Sequence, residues 1–176
     1  PYPMQYVGTW TARNKAKITI RPILPEDEEL LVKFHATLSD RSVYLRYLQP
    51  MMFQERVVHE RLARICHCDY NREIALVAEG TPEGGERAIM GVVRLSKLHA
   101  NNEADLSILI ADPYQGIGLG GELIRRAIEV ARSERIKRLT AVLTDDNQVM
   151  QHIFQQLGFS IEPSGTEKLL AAKLEL

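Results

Sequence analysis

Cysteine is scarce. Cys66 and Cys68 are the only two in 176 residues, too close together to staple a fold, and this suits a reducing compartment. No apolar run approaches the roughly 18 residues that a membrane span needs, and no signal-peptide pattern opens the chain. Charge of one sign is also missing: the formal net charge is -1, so neither nucleic acid nor an anionic membrane is expected as partner. Internal repeats, low-complexity segments and linkers are absent from the sequence. These absences leave a cytoplasmic globular chain as the expectation. Hydrophobic content of 45% and charged content of 26% agree, and the length suits a single domain over 1–176. The first residue is Pro1 and not Met, which suggests a piece of a longer polypeptide.

The most informative stretch runs from Asp105 to Ile124. Leu106 to Ala111 reads as a buried strand, broken at Asp112-Pro113. A glycine-rich loop from Gly116 to Gly121 follows, then an amphipathic helix with Leu123, Ile124, Ala127, Ile128 and Ala131 on one face. Strand, glycine loop and helix start make a phosphate site, because bare backbone approaches closely and the first-turn amides point at the anion.

The remaining chain surrounds this stretch with short elements. Thr9 to Ala12 and Lys17 to Ile23 predict a hairpin, with residues 1–16 as its leading segment. Pro25 followed by four acids predicts a helix start, and Leu30, Leu31, Phe34 and Leu38 recur at helical spacing. Ser39 or Asp40 can cap a second helix that ends at Pro50, and a third is predicted from Gln54 to Ile65. Ile74 to Ala78 and Ala88 to Leu95 read as strands, with Asn101-Asn102 turning the chain into the central stretch. Leu139 to Thr144, Phe159 to Glu162 and Lys168 to Leu176 read as later strands. Asn147 can cap a helix that Gly158 stops. The fold class is α/β or α+β, mostly meandering strands with helices between.

Two phosphate loops compete for the same glycines. Gly116-Ile-Gly118-Leu-Gly-Gly121 satisfies the dinucleotide pattern G-x-G-x-x-G, and Asp145-Asp146 follows at a suitable distance. Against this reading, Ala111 to Gln115 separate strand from glycine, and too few residues follow Asp146 to complete that fold.

The alternative reading is Gln115-x-x-Gly118-x-Gly120, which resembles the acetyl-CoA pyrophosphate loop of the GNAT N-acetyltransferases. Ile18 to Asp27 resembles that family's opening strand and first helix, and Asn147 with Phe154-Gln-Gln-Leu-Gly-Phe159 resembles its late motif. Phe34 to Arg46 and His59-Glu-Arg-Leu62 are similar to the acetyltransferase domain of bacterial Pat-type protein lysine acetyltransferases. The resemblance implies a mixed, mostly antiparallel sheet splayed at the acetyl-CoA site and flanked by helices. It implies acetyl-CoA as cosubstrate, no metal, and a protein lysine as acceptor, an acyl-CoA synthetase among the candidates. Many such domains are fused to an acyl-CoA-synthetase-like region.

The resemblance also implies roles. Gln115 and the amides of Gly116, Ile117, Gly118, Leu119, Gly120 and Gly121 would cradle the pyrophosphate. Backbone groups of Ile108, Leu109 and Ile110 would pair with the pantetheine arm, and an amide near Leu109 would polarise the thioester carbonyl. A lysine acceptor has a pKa near 10.4, so close to neutral pH only about one molecule in two to three thousand is uncharged. That deficit of roughly 4 to 5 kcal/mol gives a positioned base something to do. Pat-type enzymes carry a Glu where Asp105 stands, which makes Asp105 the first candidate base; Glu103, on the same strand face, is the second. Asn147 would reach the cofactor arm or serve only as a helix cap. Phe154 stands where many members place a proton-donating Tyr. These departures keep a non-catalytic acyl-CoA-binding regulatory module as the alternative. Cys66-His67-Cys68 has poor metal spacing, and the basic run from Arg125 to Arg138 reads as a solvated face with one candidate for the 3′-phosphate.

Overall fold

Eight strands form one sheet in the order β1-β2-β3-β4-β5-β6-β8-β7. The computed structural model describes residues 2–98 and 102–176. The strands are β1 (Gly8–Thr11), β2 (Lys17–Pro22), β3 (Glu73–Gly80), β4 (Ala88–Lys97), β5 (Glu103–Ile110), β6 (Arg138–Thr144), β7 (Ser160–Pro163) and β8 (Leu169–Glu175). Among the described residues every neighbouring pair is antiparallel except β5 and β6. That exception follows from connectivity: a helical crossover between β5 and β6 returns the chain in the same direction.

The helices are α1 (Glu28–Ala36), α2 (Asp40–Tyr47), α3 (Phe53–Arg56), α4 (His59–Cys66), α5 (Leu119–Ser133) and α6 (Gln148–Gln156). Alternation along the strands divides the core in two. Ala104, Leu106 and Leu139 face α5, whose Leu119, Leu123, Ile124 and Ala127 are buried against them. Ala75, Val77, Ile89 and Leu109 face the other way, under Leu31 and Phe34 of α1, Val43 of α2 and Leu62 of α4. The crossover helix and the early helices thus occupy opposite faces.

Several elements differ from expectation. The acids after Pro25 do more than favour a helix dipole. Asp27 is 2% exposed and accepts both Arg21 Nη atoms at 2.8 Å, and its Oδ2 also accepts the Leu24 amide at 2.7 Å. The predicted helix from Gln54 to Ile65 is two helices, broken at Val57-Val58. Arg56 is drawn inward, donating to His35 O at 3.0 Å and Met51 O at 3.3 Å, and two successive β-branched residues do not bridge the kink. Ser39, and not Asp40, caps α2, its Oγ accepting the Ser42 amide at 3.1 Å. Of the Asn101-Asn102 turn, Asn101 lies outside the described residues, and Asn102 has φ +52°.

Candidate active site

The parallel pairing of β5 with β6 covers only Glu103↔Arg138, Ala104↔Leu139 and Asp105↔Thr140. Both strands continue, β5 to Ile110 and β6 to Thr144, without pairing to each other. Each keeps its outer partner to the end: β5 stays on β4 to Gly91↔Ile110, and β6 stays on β8 to Thr144↔Leu169. The sheet therefore opens as a V with Asp105 and Thr140 at its apex.

Ladder parity decides which backbone groups face the V. Leu98 N–H donates to Glu103 O at 2.8 Å, and Ala111 N–H donates to Met90 O at 2.9 Å. In an antiparallel ladder bonded pairs alternate, so the odd-numbered residues of β5 are committed to β4. Ile108 and Ile110 direct N–H and C=O into the V. Leu109 departs from the expected pairing with a cofactor arm: its backbone belongs to the ladder with Val92, and the nearest amides outside that ladder are those of Ile108 and Ile110. Its side chain instead lines a cavity under α1, α2 and α4.

At the open end of the V lies the glycine loop. Gly118 precedes α5 with φ +89°, and the first helical bond runs from Glu122 N–H to Gly118 O at 3.2 Å. The amides of Leu119, Gly120 and Gly121 come before that bond and point out of the helix. Positive φ explains glycine at 116 (+82°) and 118. Nothing among the described residues explains it at 120 and 121. A Cβ on Gly120 would meet only Ile153 Cδ1 at an ordinary 3.5 Å, and one on Gly121 would meet nothing within 4 Å. Each glycine costs a helix up to about 1 kcal/mol relative to alanine. The bare surface they leave over a positive helix end fits a diphosphate.

Arg13 carries no functional signal in the sequence, where it lies between the two strands of the predicted hairpin. Its amide approaches Ile117 O at 3.4 Å, and its guanidinium atoms lie 3.4 to 3.7 Å from where a Gly118 Cβ would be. The β1–β2 hairpin thus places a cation over the loop. No local signal marks such a long-range contact.

α2 spans the mouth of the V, touching both β5 and β6. Its first turn is tied to the loops beyond each strand. Ser39 N–H donates to Asp112 Oδ1 at 3.0 Å, and Arg41 pairs with Asp146 at 3.4 Å. Burial raises the Asp112 pKa, but the bond from the Ser39 amide, with the Ser39 and Ser42 hydroxyls nearby, outweighs it and holds the carboxyl below its ordinary value. Gln115 belongs to the same tie. Its Nε2 donates to Ile110 O at 3.1 Å and Ser42 Oγ at 3.3 Å, which leaves the main-chain amides and Arg13 to face an anion.

The two acids differ. Asp105 is exposed at the apex, and its Oδ1 accepts the Thr140 hydroxyl at 2.7 Å. Glu103 is held by Arg138 at 3.0 Å, and Arg138 also reaches Glu175 at 2.5 Å. Asn147 caps α6, its Oδ1 accepting the Met150 amide at 3.3 Å. Phe154 is buried against Phe159 with ring centroids 4.8 Å apart. In the basic run, Arg125 and Arg126 both pair with Glu122, and Arg126 also donates to Thr9 O at 2.9 Å.

On the face away from α5 lies a cavity of about 350 Å³ roofed by α1, α2 and α4. Ser107 and Leu109 of β5 line its floor. Asp105 projects to the same side of β5, one pleat before Ser107. The V thus separates a glycine-loop side from a cavity side.

Residues 17–160 match the acetyltransferase (GNAT) domain family. An acetyltransferase of Pseudomonas aeruginosa is 30% identical over 142 residues, covering 81% of this chain and 74% of that protein. Acetyltransferase Pat of Mycolicibacterium smegmatis is 28% identical over 159 residues, covering 90% of this chain; the chain spans only 44% of that longer relative. The crystal structure of the GNAT domain of S. lividans PAT superposes with a TM-score of 0.88 at 27% identity, all of both chains being covered. A Mycobacterium smegmatis RimJ solved with CoA-disulfide shares the fold at a TM-score of 0.74 and 15% identity, over 96% of this chain and 86% of that one. With the V, the glycine loop at its mouth and the family match over most of its length, this chain belongs to the GNAT acetyltransferases.

Proposed function

We propose that this domain moves the acetyl group of acetyl-CoA to the side-chain amine of a protein lysine by direct attack. The observation that carries the reading is the V between β5 and β6, with bare helix-start amides at its mouth and a carboxylate at its apex. The Leu119–Gly121 amides and Arg13 bind the diphosphate. Ile108 and the amide of Ile110 hold the pantetheine arm in place of the missing ladder. A backbone amide there also steadies the developing oxyanion.

Asp105 takes the amine proton, directly or through one water, with the Thr140 hydroxyl orienting it. As the N–C bond forms the C–S bond breaks, and CoA leaves as thiolate. Phe154 has no proton to give, so the thiolate is met by solvent; a thiol of ordinary pKa, about 8.5, tolerates this. Glu103 supports the apex through Arg138 and does not act as base.

The test is release of CoA thiol by the purified domain given acetyl-CoA and a lysine-bearing acceptor protein, followed by mapping of acetyl-lysines in a host lysate. Release no faster than in buffer, with no new acetyl-lysine, would overturn the proposal.

A further inference from the structure

The cavity under α1, α2 and α4 carries a charge pattern that a plain lysine site does not need. Arg46 of α2, Arg61 and Arg64 of α4 and Arg94 of β4 all line it, against one carboxylate, Glu73. That is a surplus of three positive charges around about 350 Å³. His35 also lines it but adds no charge: burial, and then the charges of Arg61, Arg56 and Arg46, push its pKa down to about 3.

Two of the arginines have internal work. Arg94 pairs with Glu73 at 3.0 Å, and Arg61 donates to Arg56 O at 2.8 Å and to Tyr47 Oη at 3.0 Å. The side chains of Arg46 and Arg64 have no hydrogen bond or ion pair among the described residues. Arg46 is held by stacking alone, with its guanidinium carbon 4.8 Å from the Tyr47 ring centroid; Arg61 stands 5.4 Å from the same ring. Arg64 is exposed and keeps its water, but Arg46, Arg61 and Arg94 are half-buried, and guanidinium groups gathered in such a cavity repel each other and need an acceptor in reach. None of the lining residues belongs to the glycine loop, so the diphosphate does not supply it.

We infer that this cavity binds a carboxylate carried by the acceptor, a few bonds from the amine to be acetylated. The inference rests on the acetyl-transfer reading and refines its acceptor. The floor of the cavity is Ser107 and Leu109, the β5 residues next to Asp105 on the same face. An anion anchored there brings a neighbouring amine toward the apex, whereas a polyamine meets like charge. The arginines are forked donors matched to a planar carboxylate. Such a carboxylate comes either from an acidic side chain flanking a target lysine or from the α-carboxylate of a free amino acid.

Thiol release is measured with two matched pairs: a Glu-Lys-Glu peptide against Gln-Lys-Gln with blocked ends, and free lysine against lysinamide. The charged member of at least one pair is expected to have kcat/KM higher by roughly 10-fold, the scale of one charge-assisted hydrogen bond. The peptide pair responding alone assigns the carboxylate to a flanking side chain; the lysine pair responding alone assigns it to a free amino acid. Arg46→Gln is expected to remove the preference and Arg46→Lys to keep most of it. A second arm needs no turnover: succinate, titrated at constant ionic strength and read by thermal shift, should protect the wild type and not Arg46→Gln. Equal rates within both pairs, or preference for the neutral members, overturn the inference. Should no acceptor turn over while CoA still binds, the acetyl-transfer reading fails for these acceptors. The succinate arm then decides the anion site, and equal protection of both proteins overturns it.

Discussion

Gly118 and Gly121 separate a ligand cradle from a mere tight turn, because alanine at the two positions should move stability in opposite directions and CoA affinity in the same one. Gly118 has φ +89°, where an L-residue costs roughly 1–2 kcal/mol. Its new Cβ would lie 3.4 Å from Arg13 Nε, a contact that an exposed side chain relieves by moving a few tenths of an ångström. Gly118→Ala should therefore lower Tm by about 3–6 °C in a domain of this size. Gly121 is helical and its Cβ would touch nothing within 4 Å, so Gly121→Ala should stabilise by up to about 1 kcal/mol. Yet a helical Cβ tilts toward the helix N-terminus, which is where the diphosphate would lie. Losing one charge-assisted bond there is worth about 1.5–3 kcal/mol, so both variants should bind CoA at least about 10-fold more weakly. Calorimetric titration at a temperature where all forms are folded checks this, with pantetheine, which lacks the diphosphate, as control. A Gly121→Ala protein that is more stable and binds CoA as tightly as wild type would refute the cradle.

Asp105→Ala should cut turnover by about 100-fold or more while leaving CoA affinity unchanged; equal turnover in thiol-release assays removes Asp105 from the mechanism. Glu103→Gln should change turnover little, since its partner Arg138 is shared with Glu175. Acid sensitivity should trace to His35, whose Nδ1 lies 3.3 Å from Arg56 Nη1 and can only accept from that cation, which leaves the proton on Nε2. Its pKa is pushed down to about 3, chiefly by burial and then by Arg61, Arg56 and Arg46. Below the unfolded value of about 6.5, the unfolded chain binds a proton that the folded one refuses. This contribution is complete above 6.5 and falls by up to about 1.4 kcal/mol per pH unit toward 3. Urea unfolding at pH 7.5 and 5.5 should show a loss of about 1 kcal/mol or more that His35→Gln lacks. The exposed His59, its pKa raised by its bond to Glu28, acts in the opposite sense in both proteins and cancels in the comparison; equal slopes would exclude His35. Asp27→Asn should cost about 3 kcal/mol by removing the main partner of the half-buried Arg21, although Glu79 at 2.7 Å retains part of the pairing, and thermal denaturation reads the result.

Local chemistry was legible in the sequence. Gln115-x-x-Gly118-x-Gly120, the strand before it and the α5 periodicity all lie within one contiguous stretch, and strand, loop and helix stand where that stretch puts them. What depends on distant partners was not. Backbone parity on β5 is set by its register with β4, so no property of Leu109 itself says which way its amide faces. The insertion of β8 between β6 and β7 leaves no mark in either strand. Arg13 reaches the glycine loop from more than a hundred residues away. The cavity arginines come from α2, α4 and β4, and each alone reads as an ordinary surface charge. The break at Val57-Val58 needed His35 as well, because it is Arg56 turning inward to that residue that ends α3.

The three-pair ladder between β5 and β6 also has a mechanical meaning. It makes the sheet two plates, β1 to β5 and β6-β8-β7, joined by a short seam and by the α5 crossover. The second plate is assembled wholly from residues 138–175, a stretch local enough to open and close as a cooperative unit of its own. Amides of β6 and β8 should then exchange with solvent by a lower-energy opening than those of β3 and β4. A pantetheine arm lying between the plates would bridge the seam with its own amides. Binding would then fuse two units of exchange into one, and the cosubstrate would act as a missing strand.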